Sequence, residues 1–292
     1  MSFLRTMFFL LTYGFLKEFR LTEPFLYQFE HVTLNLSAEV LNAEVYPIWT
    51  YSYLIVLIPV FLLTDLLLYK AVIIAEALSY LTCWLLFDFS SSVLGMQMVE
   101  VFYGTATATE IAYYAYVYVA NDKKYYKRAT SFSRVALLAG RFLSYFLAEL
   151  IILYQWGDYY TLNYITTAAL ILAVLTASFL PSIPWRTAYE KRFHSEEEDD
   201  AKDDSQQLTY SYFARRVVRT IWADSVAIYS NGFIFKWSLW WAVASCMVFQ
   251  IENYMQTLWG SVQADQAMYN GITEALTPII SVPVVLLMEK IT

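Results

Sequence analysis

The sequence predicts an all-α membrane protein, and three observations predict it. About eight apolar segments lie near the length of roughly 20 residues that a spanning helix needs. Charged residues make up 15% of the chain against 59% apolar, whereas soluble domains carry about 25% charged residues. Lys and Arg are absent from every second connection between the segments, a charge asymmetry that orients membrane proteins.

The segments run over 6–28, 45–63, 69–88, 95–120, 130–155, 159–181, 235–259 and 268–288. The first resembles a signal peptide at its start, with Arg5 as basic flank and Met7–Leu16 as apolar core. Lys17-Glu18-Phe19-Arg20 follows with no small-residue cleavage site, so the segment stays and continues through Glu23 and Pro24 to Tyr27. Charges there either face a cavity, with Pro24 kinking the helix, or snorkel where the helix ends early. The loop 29–44 holds the chain's Asn-x-Ser/Thr triplet, Asn35-Leu36-Ser37, an expected glycosylation acceptor.

The second span opens with Trp49, Tyr51 and Tyr53, which serve either as interface anchors or as a pocket wall. Asp65 and Lys70 bracket a short turn. Glu76 in the third span reads as an interface residue near a membrane surface.

The fourth span, Glu100–Ala120, centres the functional reading. On a wheel of about 100° per residue, Tyr103, Thr107, Tyr114 and Val117 fall within about 60° of Glu110, and Tyr113 lies about 60° to the other side. Glu100 is about 80° away. A carboxylate at bilayer depth is expensive unless it faces protein or a water-filled cavity. The stripe therefore marks either a cavity-facing site or a helix-packing glutamate bonded to a neighbour's hydroxyl.

The fifth span carries Arg134, Arg141 and Glu149. Arg141 lies deep enough to need a partner, either Glu149 or a glutamate of another helix. Next comes the long break 182–234. Its centre, SEEEDDAKDDS at 195–205, is an acidic, solvated linker by composition. TYSYFARRVVRTIWADSVAIYS then mixes basic and apolar residues at helical spacing, as a surface amphipathic helix does. In the seventh span Gln250, Asn253 and Gln256 are spaced by three and share a side. Glu252 lies on the same span, and Glu274, Pro278 and Pro283 on the eighth.

Basic residues sit at Arg5 and in the connections after even-numbered spans, which predicts a cytoplasmic N-terminus and an external Asn35. The net charge of −7 argues against a nucleic-acid partner. Cys83 and Cys246 lie in apolar runs and read as buried thiols. The sequence has no GxxxxGK[ST], no HExxH and no catalytic triad, so neither an enzyme, a metal nor a cofactor is expected.

Several stretches together carry a resemblance. They are TEPFLYQF at 22–29, NLSAEVLNAEVYPIWTYSYLIVLIPVFLLTD at 35–65 and MQMVEVFYGTATATEIAYYAYVYV at 96–119, with KWSLWWAV, QIENYMQTLW and MYNGITEAL further on. The chain resembles the reduced folate carrier family of solute carriers, and within it the thiamine transporter branch. The resemblance implies a major-facilitator fold with a substrate cavity between two six-helix lobes. It implies pocket roles for Glu23, Trp49, Glu110, Tyr113 and Asn253, to which the wheel adds Tyr114. Folate-carrying members resemble one another in having a base where Glu110 stands, and thiamine-carrying members have the glutamate. Arg141 departs from the thiamine-branch pattern. Length departs as well, since the family has about twelve spans and this chain looks truncated after eight.

The expected organisation is a six-helix lobe over 1–181, a cytoplasmic linker with its amphipathic helix over 182–234, and the first two helices of a second lobe over 235–292. The expected function is a plasma-membrane, multi-pass carrier of a small vitamin, thiamine first and folate second. The alternative is a non-transporting membrane-embedded partner or regulatory fragment built on the same lobe.

Overall fold

The structure, a computed structural model, describes residues 3–121, 123–186, 210–263 and 269–291. Ten longer helices carry the fold among these residues. They are α1 Phe3–Glu18, α2 Tyr46–Leu66, α3 Lys70–Phe89, α4 Val93–Thr109, α5 Ile111–Ala120, α6 Tyr126–Leu153, α7 Tyr159–Phe179, α8 Tyr210–Ser230, α9 Gly232–Gln263 and α10 Asn270–Ile291. No strand occurs among the described residues, and the protein is an all-α membrane fold of the major-facilitator type. The acidic run at 195–205 lies outside the described residues.

Among the described residues, six helices are individually long and apolar enough to cross a membrane. The sequence predicts eight segments, and the other two, the first and fourth, are interrupted. In the first, α1 ends at Glu18 and the chain resumes helical turns only at Glu23. Backbone groups released by such a break must be satisfied inside the protein. Here the Leu21 and Thr22 N–H groups donate to Thr166 Oγ1 of α7 at 2.9 and 3.3 Å. The Ser144 hydroxyl of α6 donates to the Glu18 carbonyl at 3.3 Å. Pro24 sits in the turn Glu23–Phe25, past the break, so hydroxyls from two neighbouring helices stabilise the interruption.

The fourth segment breaks at Glu110, which joins α4 to α5. Three threonines precede the break. Thr105, Thr107 and Thr109 each donate to a carbonyl four residues back, at 2.9 Å in all three cases. Such back-bonding competes with the backbone ladder and bends helices. The Tyr113 N–H then bonds the Glu110 carbonyl at 3.0 Å, three residues back, so the turn is tightened there.

Helices in lipid gain little from apolar burial against one another and rely on close packing of small residues. At Gly140 of α6, a Cβ would collide with the Phe15 carbonyl oxygen of α1. At Gly104 of α4, it would lie 2.9 Å from the Trp49 carbonyl oxygen of α2. The hydrogen glycine carries in place of a Cβ permits both crossings. Leu10, Tyr13, Ile73, Tyr113 and Ala173 fill one core between α1, α3, α5 and α7. Phe29, Tyr80, Trp84, Met96 and Leu170 fill a second core nearer the other end. Along α2, Tyr51, Ile55 and Ile58 point outward, as lipid-facing residues do.

The turn between α2 and α3 is short, with Leu68 and Tyr69 both at positive φ. The Tyr69 hydroxyl donates to Asp65 Oδ1 at 2.6 Å and its ring is buried, which holds this strained turn. Before α7, Asp158 and Thr161 form a reciprocal cap. The Thr161 hydrogen bonds hold the Asp158 carboxyl below the usual aspartate value.

α8 is the expected amphipathic helix. Phe213, Val217 and Ile221, spaced by four, are buried against Leu66, Leu68 and Trp185, while Arg215 and Arg219 are exposed. α9 and α10 lie against the earlier helices on the side of the first break and α6. The Gly271 N–H at the start of α10 donates to Glu149 Oε2 of α6 at 2.9 Å. Of the two cysteines, Cys83 is buried as expected, whereas Cys246 on α9 is exposed, against expectation.

Candidate functional site

Both breaks face one cavity of about 630 Å³, within the range of about 300–1,000 Å³ typical of small-molecule sites. Its wall draws on the first break (Glu18, Arg20, Glu23), on α2 (Trp49), α4 and its end (Tyr103, Thr107, Glu110), and α6 (Arg141, Tyr145). α9 adds Glu252, Asn253 and Gln256, and α10 adds Glu274.

Two charge clusters organise the wall. In the first, Arg141 donates to Glu18 Oε2 from Nε at 3.0 Å and from Nη2 at 2.6 Å. Arg20 Nη2 lies 3.2 Å from Glu18 Oε2 and 3.2 Å from Glu23 Oε1. The Glu23 carboxylate also accepts from the hydroxyls of Tyr103 and Tyr145, each at 2.7 Å. Arg20 is buried, with its guanidinium 4.7 Å from the Tyr80 ring centroid and 5.7 Å from that of Trp84. Stacked rings suit a planar, weakly hydrated guanidinium.

In the second cluster, Lys17 Nζ lies 2.7 Å from Glu76 Oε1 and 3.2 Å from Glu110 Oε1. Tyr13 donates to the other Glu76 oxygen at 2.9 Å. Lys17 and Glu76 are fully buried, whereas the Glu110 side chain is 32% exposed. Around these charges, Trp49 packs against Tyr53, Tyr103 and Phe249, and its ring N–H donates to Thr107 at 3.2 Å. Gln256 joins the halves of the wall by donating to the Glu23 carbonyl at 2.9 Å and to Glu274 at 3.0 Å.

Three bases thus meet four acids in ion pairs. Glu100, Glu252 and Glu274 add further carboxyl groups to the wall without an ion pair among the described residues. Carboxyl groups thus outnumber bases on the wall, and aromatic side chains ring it.

Over residues 1–292 the sequence matches the family model described as Reduced folate carrier. The chain belongs to the reduced folate carrier family. Among curated relatives, the chain is 49% identical to "Folate-like transporter 3" of Caenorhabditis elegans, over 96% of this chain and 66% of the relative. It is 38% identical to "Folate transporter 1" of the same worm, over 94% of this chain and 62% of the relative. It is 31% identical to human "Thiamine transporter 1", over 93% of this chain and 62% of the relative. The chain therefore spans somewhat less than two thirds of the length of these relatives.

In this member of the folate carrier family, Glu23, Trp49, Glu110 and Asn253 meet at the cavity wall. Tyr113 does not reach it. It is fully buried behind Lys17, whose ammonium lies 4.8 Å from its ring centroid. Tyr114 lies past the break and turns to Arg134, which donates to its hydroxyl at 3.2 Å. The helical stripe thus divides at Glu110: Tyr103 and Thr107 face the cavity, while Val117 is in the core. Of the polar residues on α9, Gln250 is exposed and away from the wall. Asn35 is exposed, with Ser37 capping the next turn through a hydrogen bond from the Val40 N–H at 3.3 Å.

Arg141 finds its partner on another helix, at Glu18, while Glu149 binds the α10 backbone. Glu76, expected at the interface, is instead fully buried beneath the site. Sequence reasoning missed Lys17 and Glu76 as a pair. The signal was partial: Glu76 is a lone charge in an apolar span, and such a charge must find a partner, whereas Lys17 stands in the charged run Lys17-Glu18-Phe19-Arg20.

Proposed function

We propose that the chain forms the substrate-binding part of a plasma-membrane vitamin carrier whose substrate is an organic cation, thiamine first. The observation that carries this reading is Glu110. It is the ion-paired acid most open to the cavity, standing at a helix break among Trp and Tyr faces. A thiazolium placed there gains charge attraction at low dielectric and cation–π contact of about 0.5–2 kcal/mol. Trp49, Tyr103 and Asn253 supply the surrounding faces, and Glu23 is the second acid in reach.

Folate is the second reading. Arg141 favours it, because its side chain is 44% exposed despite the Glu18 pair and so offers a cation to an anionic substrate. The folate-like relatives at 49% identity support the same reading. Against it, Arg141 is already bound by two nitrogens to one carboxylate, whereas the wall retains an excess of acids.

The same proposal divides the chain into a six-helix lobe over 1–181, a cytoplasmic linker over 182–234 and two helices of a second lobe over 235–292. The N-terminus is cytoplasmic and Asn35 is an external glycosylation site. Alternating access rocks one lobe of such carriers against the other about a central site. The Gln256 bonds to Glu23 and Glu274 provide a polar link across that division. The test is uptake of labelled thiamine and labelled folate in cells lacking their own carriers. Saturable thiamine uptake with background folate uptake is expected, and the reverse pattern assigns the cavity to an anion.

A further inference from the structure

Lys17 is one charge shared by two acids, and the sharing is unequal. Glu76 is the nearer partner at 2.7 Å, Glu110 the farther at 3.2 Å. Glu76 is fully buried and holds a second donor, the Tyr13 hydroxyl. Among the described residues Lys17 donates the hydrogen bond that the Glu110 carboxylate accepts, and Glu110 alone of the three opens to the cavity. The ammonium also sits over the Tyr113 ring, at 4.8 Å from its centroid.

We propose that Lys17 is a tethered competitor that sets cation affinity. It occupies Glu110 in the empty cavity and yields it to a substrate cation, staying neutralised by Glu76. The inference rests on the cation reading above and goes beyond it by naming what the substrate must displace. A buried lysine released by its only acid leaves an uncompensated charge, which is strongly unfavourable. Glu76 removes that obstacle, because Lys17 keeps a close, buried carboxylate when Glu110 turns to a ligand. Glu76 therefore acts as a positioning residue through Lys17, one layer below the cavity. The arrangement also discriminates: a weakly binding cation does not dislodge the ammonium, and a neutral analogue gains nothing from Glu110.

The consequence is a sign reversal. Glu76→Gln keeps the shape and removes Lys17's deeper acid, so the ammonium clamps Glu110. The double variant Lys17→Met with Glu76→Gln removes an electroneutral pair, preserves side-chain length, and leaves Glu110 without its competitor.

The experiment is saturation binding of labelled thiamine to the detergent-solubilised full chain, with folding checked by gel filtration and thermal melting. Glu76→Gln is expected to weaken binding about tenfold, and the double variant to tighten it about fivefold over the parent. Should Glu76→Gln not fold, Glu76→Asp draws the acid back by one methylene and is expected to weaken binding in the same direction. Shifts of one sign in both, or no shift in either, overturn the tether. Glu110→Gln separates the two failures. If it leaves thiamine binding unchanged, the cation reading itself has failed. If it weakens binding while the Glu76 variants move together, the tether alone has failed.

Discussion

Arg141 holds Glu18 through two nitrogens of one guanidinium, Nε at 3.0 Å and Nη2 at 2.6 Å from the same carboxylate oxygen. The pair ties α6 to the break after α1, and Arg20 shares the same oxygen from the other side at 3.2 Å. Glu18 is thus the joint of two bases, and the two ends of the pair are not equivalent. Glu18→Gln leaves Arg20 nearly buried with Glu23 as its remaining acid, and is expected to cost about 3 kcal/mol. Arg141→Leu leaves Glu18 neutralised by Arg20 and removes a half-exposed base, at about 1 kcal/mol. Thermal unfolding of the solubilised protein measures both, and a larger loss for Arg141→Leu would contradict this ordering.

The break after α1 depends on a hydroxyl from α7. Thr166→Val keeps the shape but strands the N–H groups of Leu21 and Thr22, which are buried. A destabilisation of about 1–3 kcal/mol is expected. Thr176→Val, on the same helix but only partly buried, serves as the control and is expected to be near neutral. Equal effects at both sites would mean that Thr166 does not support the break.

The crossing of α1 and α6 depends on Gly140. An added methyl meets the Phe15 carbonyl oxygen, a backbone atom that does not step aside. Gly140→Ala is expected to lower stability by about 1–3 kcal/mol and to reduce the yield of monodisperse protein on gel filtration. Gly232→Ala, where the added methyl meets open space, is expected to leave both unchanged.

Topology has its own test. The asymmetry of Lys and Arg predicts that Asn35 lies outside and the linker inside. Glycosidase treatment is expected to shift the parent on a gel but not Asn35→Gln. In sealed cells the 190–210 stretch is expected to resist added protease. Cleavage of the linker from outside intact cells would reverse the orientation.

Hydropathy made most of the helices legible, because spans of about 20 apolar residues announce themselves. The amphipathic α8 was legible too, since Phe213, Val217 and Ile221 follow helical spacing between arginines. The breaks at Phe19–Thr22 and at Glu110 were not, because they depend on partners in other helices, Thr166 and Ser144, and on threonine back-bonding. The same breaks explain the site's partial legibility. A continuous helix puts Tyr114 beside Glu110, whereas the tightened turn sends it to Arg134. Lys17 and Glu76 escaped notice because a pair 59 residues apart has no local spacing to read.

The measurement that tests the central claim most directly is labelled thiamine binding and uptake by the parent and by Glu110→Gln, with labelled folate alongside. The substitution keeps the shape of the side chain, and Lys17 keeps Glu76, so the fold is expected to stand. Loss of a charged hydrogen bond of about 1–3 kcal/mol predicts thiamine affinity lower by roughly 5- to 150-fold, with folate at background in both proteins. Unchanged thiamine binding in Glu110→Gln would make Glu110 a structural residue, and folate uptake by the parent would give the substrate's charge to Arg141.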